Sequence, residues 1–230
     1  MAHLLLLHGA LGSREQFTPL AAKLMNDFTI DTLSFSGHGR AASFDHAFTI
    51  QNCAHEVLNW LNDKQRRKID IFGYSMGGYV ALWLARFYPD RVGKIFTLGT
   101  KLEWNELTVA KETKLLNAEK ITEKVPAFAR ELQNRHGEHE WHSVLHKTAN
   151  LMHDLAKHHL TDEDYQQIKS QVLLGLGDQD NMVTKEETFH VEKQIAGAKF
   201  LELKNTPHPL EKVDVELIAQ EIKIFFLEQP

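Results

Sequence analysis

One stretch of the 230-residue chain concentrates chemical potential. It is Gly73-Tyr74-Ser75-Met76-Gly77, followed at once by Gly78. The β-prone run Ile69–Phe72 leads into it, and the helix-like run Tyr79–Arg86 leaves it. At a strand-to-helix turn, a serine two residues from a glycine on either side is held in the open, within reach of a base and a substrate. The turn is too tight for a side chain at either flanking position. Ser75 also begins a helix, whose free N–H groups stabilise arriving negative charge. A serine N-cap in a glycine-rich turn is the plainer reading. The strand before and the helix after favour a nucleophile.

A serine hydroxyl needs a base to become a nucleophile near neutral pH. Histidine suits, and it needs an acceptor to fix its tautomer. In a parallel sheet such partners sit at the carboxyl ends of later strands. Two late stretches fit: Gly177-Asp178-Gln179-Asp180-Asn181-Met182-Val183 and Asn205-Thr206-Pro207-His208-Pro209-Leu210-Glu211. They offer Asp178, Asp180 and His208, in the order Ser, Asp, His. His190 is the other late histidine, but it lies inside a helical stretch and reads as a surface residue. The oxyanion formed on attack needs fixed donors, each worth on the order of 3 kcal/mol. The backbone N–H of Met76, directly after the serine, is one.

The elements that position these residues follow from hydrophobic spacing and punctuation. Strands are expected over 3–8, 28–33, 69–73, 92–98, 171–176 and 199–203. Helices are expected from Ser13 to about 25 and over 49–62, 75–88, 185–196 and 213–226. Residues 101–167 contain no convincing strand, and Pro126 and Gly137 divide them into shorter helices. The reading is therefore a core of residues 1–100 and 168–230, with a helical cap inserted at 101–167. Strands alternating with helices predict an α/β fold, a mainly parallel sheet covered on both faces.

Composition sets the outer limits. Hydrophobic residues make up 43% and charged residues 25%, ordinary for a globular protein with a substantial core. A net charge of -5 argues against nucleic-acid binding. The basic run Lys64–Lys68 reads as a solvated loop. Cys53 is the one cysteine and excludes an internal disulfide; it reads as a small buried hydrophobe. Leu4–Leu7 is too short and lacks the basic flank of a signal segment, and no stretch reaches membrane-span length. A cytosolic protein acting without membrane or cofactor is expected.

With these pieces in order, the chain resembles an α/β-hydrolase along essentially its whole length. The resemblance rests on His8-Gly9 after the first strand, Gly37-His38-Gly39 after the second, the Gly73–Gly78 turn and the two late loops. It implies a Ser75–His208–Asp180 triad, since the family's Gly-x-x-Asp-x-x-Val pattern falls on Gly177, Asp180 and Val183. Asp178 is then a turn or capping residue. It also implies Ala10 as the second oxyanion donor, and His8 and His38 as loop braces. The family often has Asp where Ser34 stands, Pro where Ser36 stands, and Gly before the histidine where Pro207 stands. The family's usual opening pair of strands is missing, so about six strands are expected.

The 101–167 segment supplies apolar residues that should glue it to the core or roof a pocket, among them Trp104, Leu107, Leu115, Leu132 and Trp141. Its histidines (His136, His139, His142, His146, His153, His158 and His159) lack metal-site spacing and read as solvated helix faces. The expected reaction is cleavage of a small or medium, mostly uncharged carboxylic ester or thioester. The same residues would also serve a carbon–carbon hydrolase, an acyltransferase, a lyase or synthase, or a binding protein. The chain is similar to the menaquinone-pathway synthase of this fold. That relative carries an arginine near the serine turn, where this chain has Tyr79.

Overall fold

The computed structural model describes residues 1–41 and 47–227. The last three residues of the expected 168–230 core segment therefore lie outside the described residues. The chain begins with β1 (Ala2–Leu7), whose Leu4 to Leu7 are all fully buried. A short 3-10 turn and α1 (Thr18–Leu24) follow, then β2 (Phe28–Leu33), α2 (Ile50–Asp63) and β3 (Ile69–Tyr74). After the serine turn come α3 (Met76–Phe87) and β4 (Val92–Leu98). Next are five helices: α4 (Glu106–Thr113), α5 (Ala118–Lys124), α6 (Pro126–His136), α7 (Glu140–His158) and α8 (Asp162–Gln166). The chain returns to the sheet with β5 (Val172–Gln179), α9 (Lys185–Gln194), β6 (Lys199–Pro207) and α10 (Val215–Leu227).

The six strands form one sheet in the order β2-β1-β3-β4-β5-β6, every pairing parallel. Side-chain alternation divides each strand between two layers. Leu4 and Leu6 pack with Leu20 and Leu24 of α1 and with Ile218 and Ile222 of α10. Leu5 and Leu7 point the other way, into a core shared with α2, α3 and Val191 of α9. A strand buried on both faces needs the near-continuous apolar run that β1 carries.

Two strands run further than the sequence suggests. β5 continues to Gln179 and β6 to Pro207, instead of ending at 176 and 203. Asn205 has φ 53°, and the ladder is irregular between Gly177 and Gln179 before Gln179 pairs with Pro207. This irregularity lets pairing resume past residues that look like loop. Asp180 and His208 thus each stand one residue beyond a strand end, not in the middle of long loops.

The 101–167 segment is helical, and α6 starts at Pro126 and stops at Gly137, whose φ is 114°. Ile121, Ala129, Leu132, Trp141 and Leu145 form a separate small core, against which Leu11 of the loop after β1 packs. Leu107 and Leu115 depart from expectation: they are 84% and 60% exposed and glue nothing. Among the described residues no helix is long and apolar enough to cross a membrane.

Candidate active site

Ser75 sits between β3 and α3 with φ 49° and ψ -116°, a conformation a residue with a Cβ adopts only under constraint. Close backbone packing, which the flanking glycines permit, surrounds it. A Cβ on Gly73 would lie 2.5 Å from the Gly78 Cα, and one on Gly77 would lie 2.2 Å from the Leu7 carbonyl oxygen. The Ser75 N–H donates to the Leu98 carbonyl (2.8 Å), and Thr100 Oγ1 donates to the Ser75 carbonyl (2.9 Å). The end of β4 therefore grips the turn from both sides.

The same strand end meets the other two candidates. Between Leu98 and Thr100, a Cβ on Gly99 would lie 3.1 Å from Asp180 Oδ2 and 3.3 Å from His208 Nδ1. Those two atoms are 2.7 Å apart, on side chains only 2% and 9% exposed. Asp180 Oδ1 accepts from the N–H groups of Met182 (2.8 Å) and Val183 (2.9 Å). Both carboxylate oxygens are thus committed. His208 Nδ1–H donates to Oδ2, which leaves Nε2 as the nitrogen free to take a proton. Tyr74, next to Ser75, donates its hydroxyl to the His208 carbonyl (2.9 Å), and the two rings lie 5.6 Å apart.

Asp178 does something else: its Oδ1 accepts from the Thr206 N–H (3.2 Å), fastening β6 to β5. His190 lies on α9, exposed, and pairs with Asp162 at 2.8 Å. A Cβ on Gly9 would lie 3.0 Å from the Ser75 Cβ, so the loop after β1 runs directly beside the serine. Among the described residues, neither the Ala10 N–H nor the Met76 N–H has a hydrogen-bond partner.

His8 and His38 are buried behind this loop. His8 Nδ1–H donates to the Gly9 carbonyl (2.7 Å), and Nε2 accepts from the Phe35 N–H (3.1 Å). Burial pushes the His8 pKa down to about 4 and that of His38 well below its usual value. Both are neutral braces near pH 7.

One residue the sequence reading misplaces is His136. It belongs to no solvated face: it is 4% exposed, accepts from the Gly39 N–H (2.9 Å) and donates to the Leu11 carbonyl (2.9 Å). Its partners lie 97 and 125 residues away, so no local pattern could reveal it. The other six histidines named in the 101–167 segment are exposed. Tyr79 is likewise committed: its buried hydroxyl accepts from the Leu160 N–H (2.8 Å), tying α3 to the helical insert. Among the described residues no group of three or more His, Cys, Asp or Glu could hold a metal ion. A cleft of about 600 Å³ between the insert and α9, lined by Trp104, Leu160 and Glu187 among others, contains none of Ser75, Asp180 and His208.

Comparison with known proteins agrees with this architecture. A pimeloyl-[acyl-carrier protein] methyl ester esterase of Neisseria meningitidis is 34% identical over 87 residues, 38% of this chain and 32% of the relative. The 3-oxoadipate enol-lactonase 1 of Acinetobacter baylyi is 33% identical over 100 residues, 41% of this chain and 37% of the relative. The matches thus span about a third of the length of these relatives. The crystal structure of an enol-lactonase from Burkholderia xenovorans superposes with a TM-score of 0.80 at 18% identity, covering 99% of this chain and 92% of that one. The alpha/beta hydrolase fold model matches residues 2–139, more than half of the sequence, and the chain belongs to that family.

Proposed function

We propose that the protein is a serine hydrolase that cleaves a small or medium, mostly uncharged carboxylic ester or thioester through an acyl-enzyme. Ser75 Oγ attacks the carbonyl carbon while His208 Nε2 takes its proton. Asp180 keeps the imidazole in the tautomer with Nδ1–H and stabilises the cation that forms. The amides of Ala10 and Met76 hold the oxyanion. His208 returns the proton to the leaving alcohol or thiol, and Ser75 keeps the acyl group. Water, deprotonated by His208, then attacks the acyl-enzyme and releases the acid and free Ser75. The chemistry uses only side chains and backbone of this chain and calls for no cofactor.

The observation that carries this reading is the shared strand end. Residues 98–100 hold the backbone of Ser75 and also touch the hydrogen-bonded Asp180–His208 pair. The fold family and the esterase and lactonase relatives favour hydrolysis. In this reading residues 101–167 act as a cap over the site. An uncharged substrate fits because Arg135, the cation that reaches the loop after β1, is already paired with Glu211 at 2.8 Å. Tyr79 supports the Leu160 backbone where the synthase-like alternative has a substrate-binding arginine, which counts against that alternative.

The test is a series of p-nitrophenyl esters of increasing acyl length, with wild type and Ser75→Ala. The expected loss in kcat is about 10⁴-fold or more. A fluorophosphonate probe should label wild type at Ser75 and leave the alanine variant unlabelled. Equal hydrolysis by both proteins would reject the mechanism.

A further inference from the structure

The turn beside Ser75 contains an anomaly. The Gly12 N–H donates to the Gly9 carbonyl (3.1 Å), closing a four-residue turn with Ala10 second and Leu11 third. Leu11 has φ 59°. A positive φ at the third position of such a turn is where glycine is ordinary and a leucine is strained. Strain of this kind persists only when the surroundings over-determine it.

The surroundings here come from the helical insert. Two consecutive residues at the carboxyl end of α6 converge on the Leu11 carbonyl. Arg135 Nη1 donates to it at 2.8 Å, and His136 Nε2 donates at 2.9 Å. The Leu11 side chain packs against the small core of Leu132, Trp141 and their neighbours. Arg135 also pairs with Glu211, three residues beyond His208, and Glu211 accepts from Gln16 Nε2 at 2.6 Å. His136 is bound on its other side by the Gly39 N–H. Leu11 is therefore held by its carbonyl and its side chain, both from the 101–167 segment.

We infer that Arg135 and His136 are positioning residues: by clamping the Leu11 carbonyl they hold the turn in its strained form and aim the Ala10 N–H at the oxyanion. This deepens the hydrolase reading and rests on Ser75 being the nucleophile. Neither residue touches the reacting atoms. Releasing the carbonyl lets the turn relax, and an oxyanion donor displaced by about 1 Å costs on the order of 100-fold in rate.

The experiment compares wild type with His136→Asn, His136→Gln and Arg135→Met on a p-nitrophenyl ester. It also measures inhibition by a trifluoromethyl ketone, which adds the serine and places an oxyanion where the transition state has one. Asparagine retains an acceptor near the position of Nδ1 but no donor that reaches Leu11; glutamine retains a nitrogen near the position of Nε2. The expected result for His136→Asn is a kcat loss of about 10- to 100-fold with KM within about threefold. Ketone affinity should fall by a similar factor, with a cooperative melt retained. His136→Gln should recover most of both losses. A folded His136→Asn with kcat and ketone affinity within about twofold of wild type would overturn the inference. So would a glutamine variant that falls as far as the asparagine one. If His136→Asn does not fold, Arg135→Met decides by the same readouts, since it removes the other donor to the same oxygen. Loss of the nucleophile assignment is recognised separately: wild type would then escape fluorophosphonate labelling, whereas failure of the clamp leaves that labelling intact.

Discussion

In the proposed triad, one atom of Asp180 decides the chemistry. Oδ1 is held by two backbone N–H groups, so an asparagine there keeps its carbonyl oxygen on Met182 and Val183. Its NH₂ then faces His208 Nδ1, which can no longer donate and must carry its proton on Nε2 instead. A base with that nitrogen already protonated cannot take the serine proton. Asp180→Asn is expected to lower kcat by about 10⁴-fold while leaving the melt unchanged. Asp178→Asn still accepts from Thr206 and should stay within about threefold of wild type on the same esters. Equal effects at the two positions would mean that the aspartate role is misassigned. The sequence offered both aspartates after one strand, and only the family pattern chose between them. His208 was easier to single out, because its one late rival lies mid-helix.

At the level of elements, the serine turn depends on how closely α3 approaches β1. Gly77 is the contact point: a Cβ there would meet the Leu7 carbonyl oxygen at 2.2 Å and the His8 carbonyl oxygen at 2.8 Å. These are backbone atoms at the buried end of β1 and in the residue directly after it, and they cannot swing aside. Gly77→Ala is therefore expected to cost about 1–3 kcal/mol, read as a lower urea midpoint with an unchanged slope. A variant as stable as wild type would show that α3 can pull back from the sheet. The elements themselves were legible wherever Gly and Pro punctuate apolar runs, and β2 and β4 match the expected limits to the residue. The ends of β5 and β6 were not. Lys204-Asn205-Thr206 looks like loop, and its strand character comes from pairing with β5 and from the Asp178–Thr206 bond, neither of which is local. In the insert, periodicity gave helices but could not say which faces meet. Leu107 and Leu115 look like glue and are exposed, whereas His136 looks solvated and is buried.

For the whole molecule, the buried histidines set a pH limit. The rings of His8 and His38 are 5.3 Å apart and those of His38 and His136 are 5.7 Å apart, joining the loop after β1, the loop after β2 and α6 in one cluster. Burial lowers His8 and His136 from 6.5 to about 4 and His38 well below 6.5. The nearby cations Arg135 and Lys147 act in the same direction, and Glu15 opposes them at His8. A lowered histidine binds its proton more readily in the unfolded chain. Stability is therefore full above pH 6.5 and falls as pH drops towards 4. For His8 alone the fall from pH 7 to pH 5 is about 2 kcal/mol, and His38 and His136 add to it. Asp70, raised by burial, works the opposite way, but from its ordinary value of 3.8 upward. The lowered carboxylates, Glu15 and Asp164 among them, begin to lose their contribution only below their ordinary values of 4.5 and 3.8. Between pH 6.5 and 5 the histidines therefore dominate the slope. Urea unfolding across that range should show stability decreasing with acid, with an uptake of two to three protons on unfolding, roughly one per buried histidine. His136→Gln should reduce that uptake by about one proton. A flat profile from pH 7 to pH 5 would mean that the cluster admits protons without unfolding, and that the loop after β1 is not locked to neutral histidines.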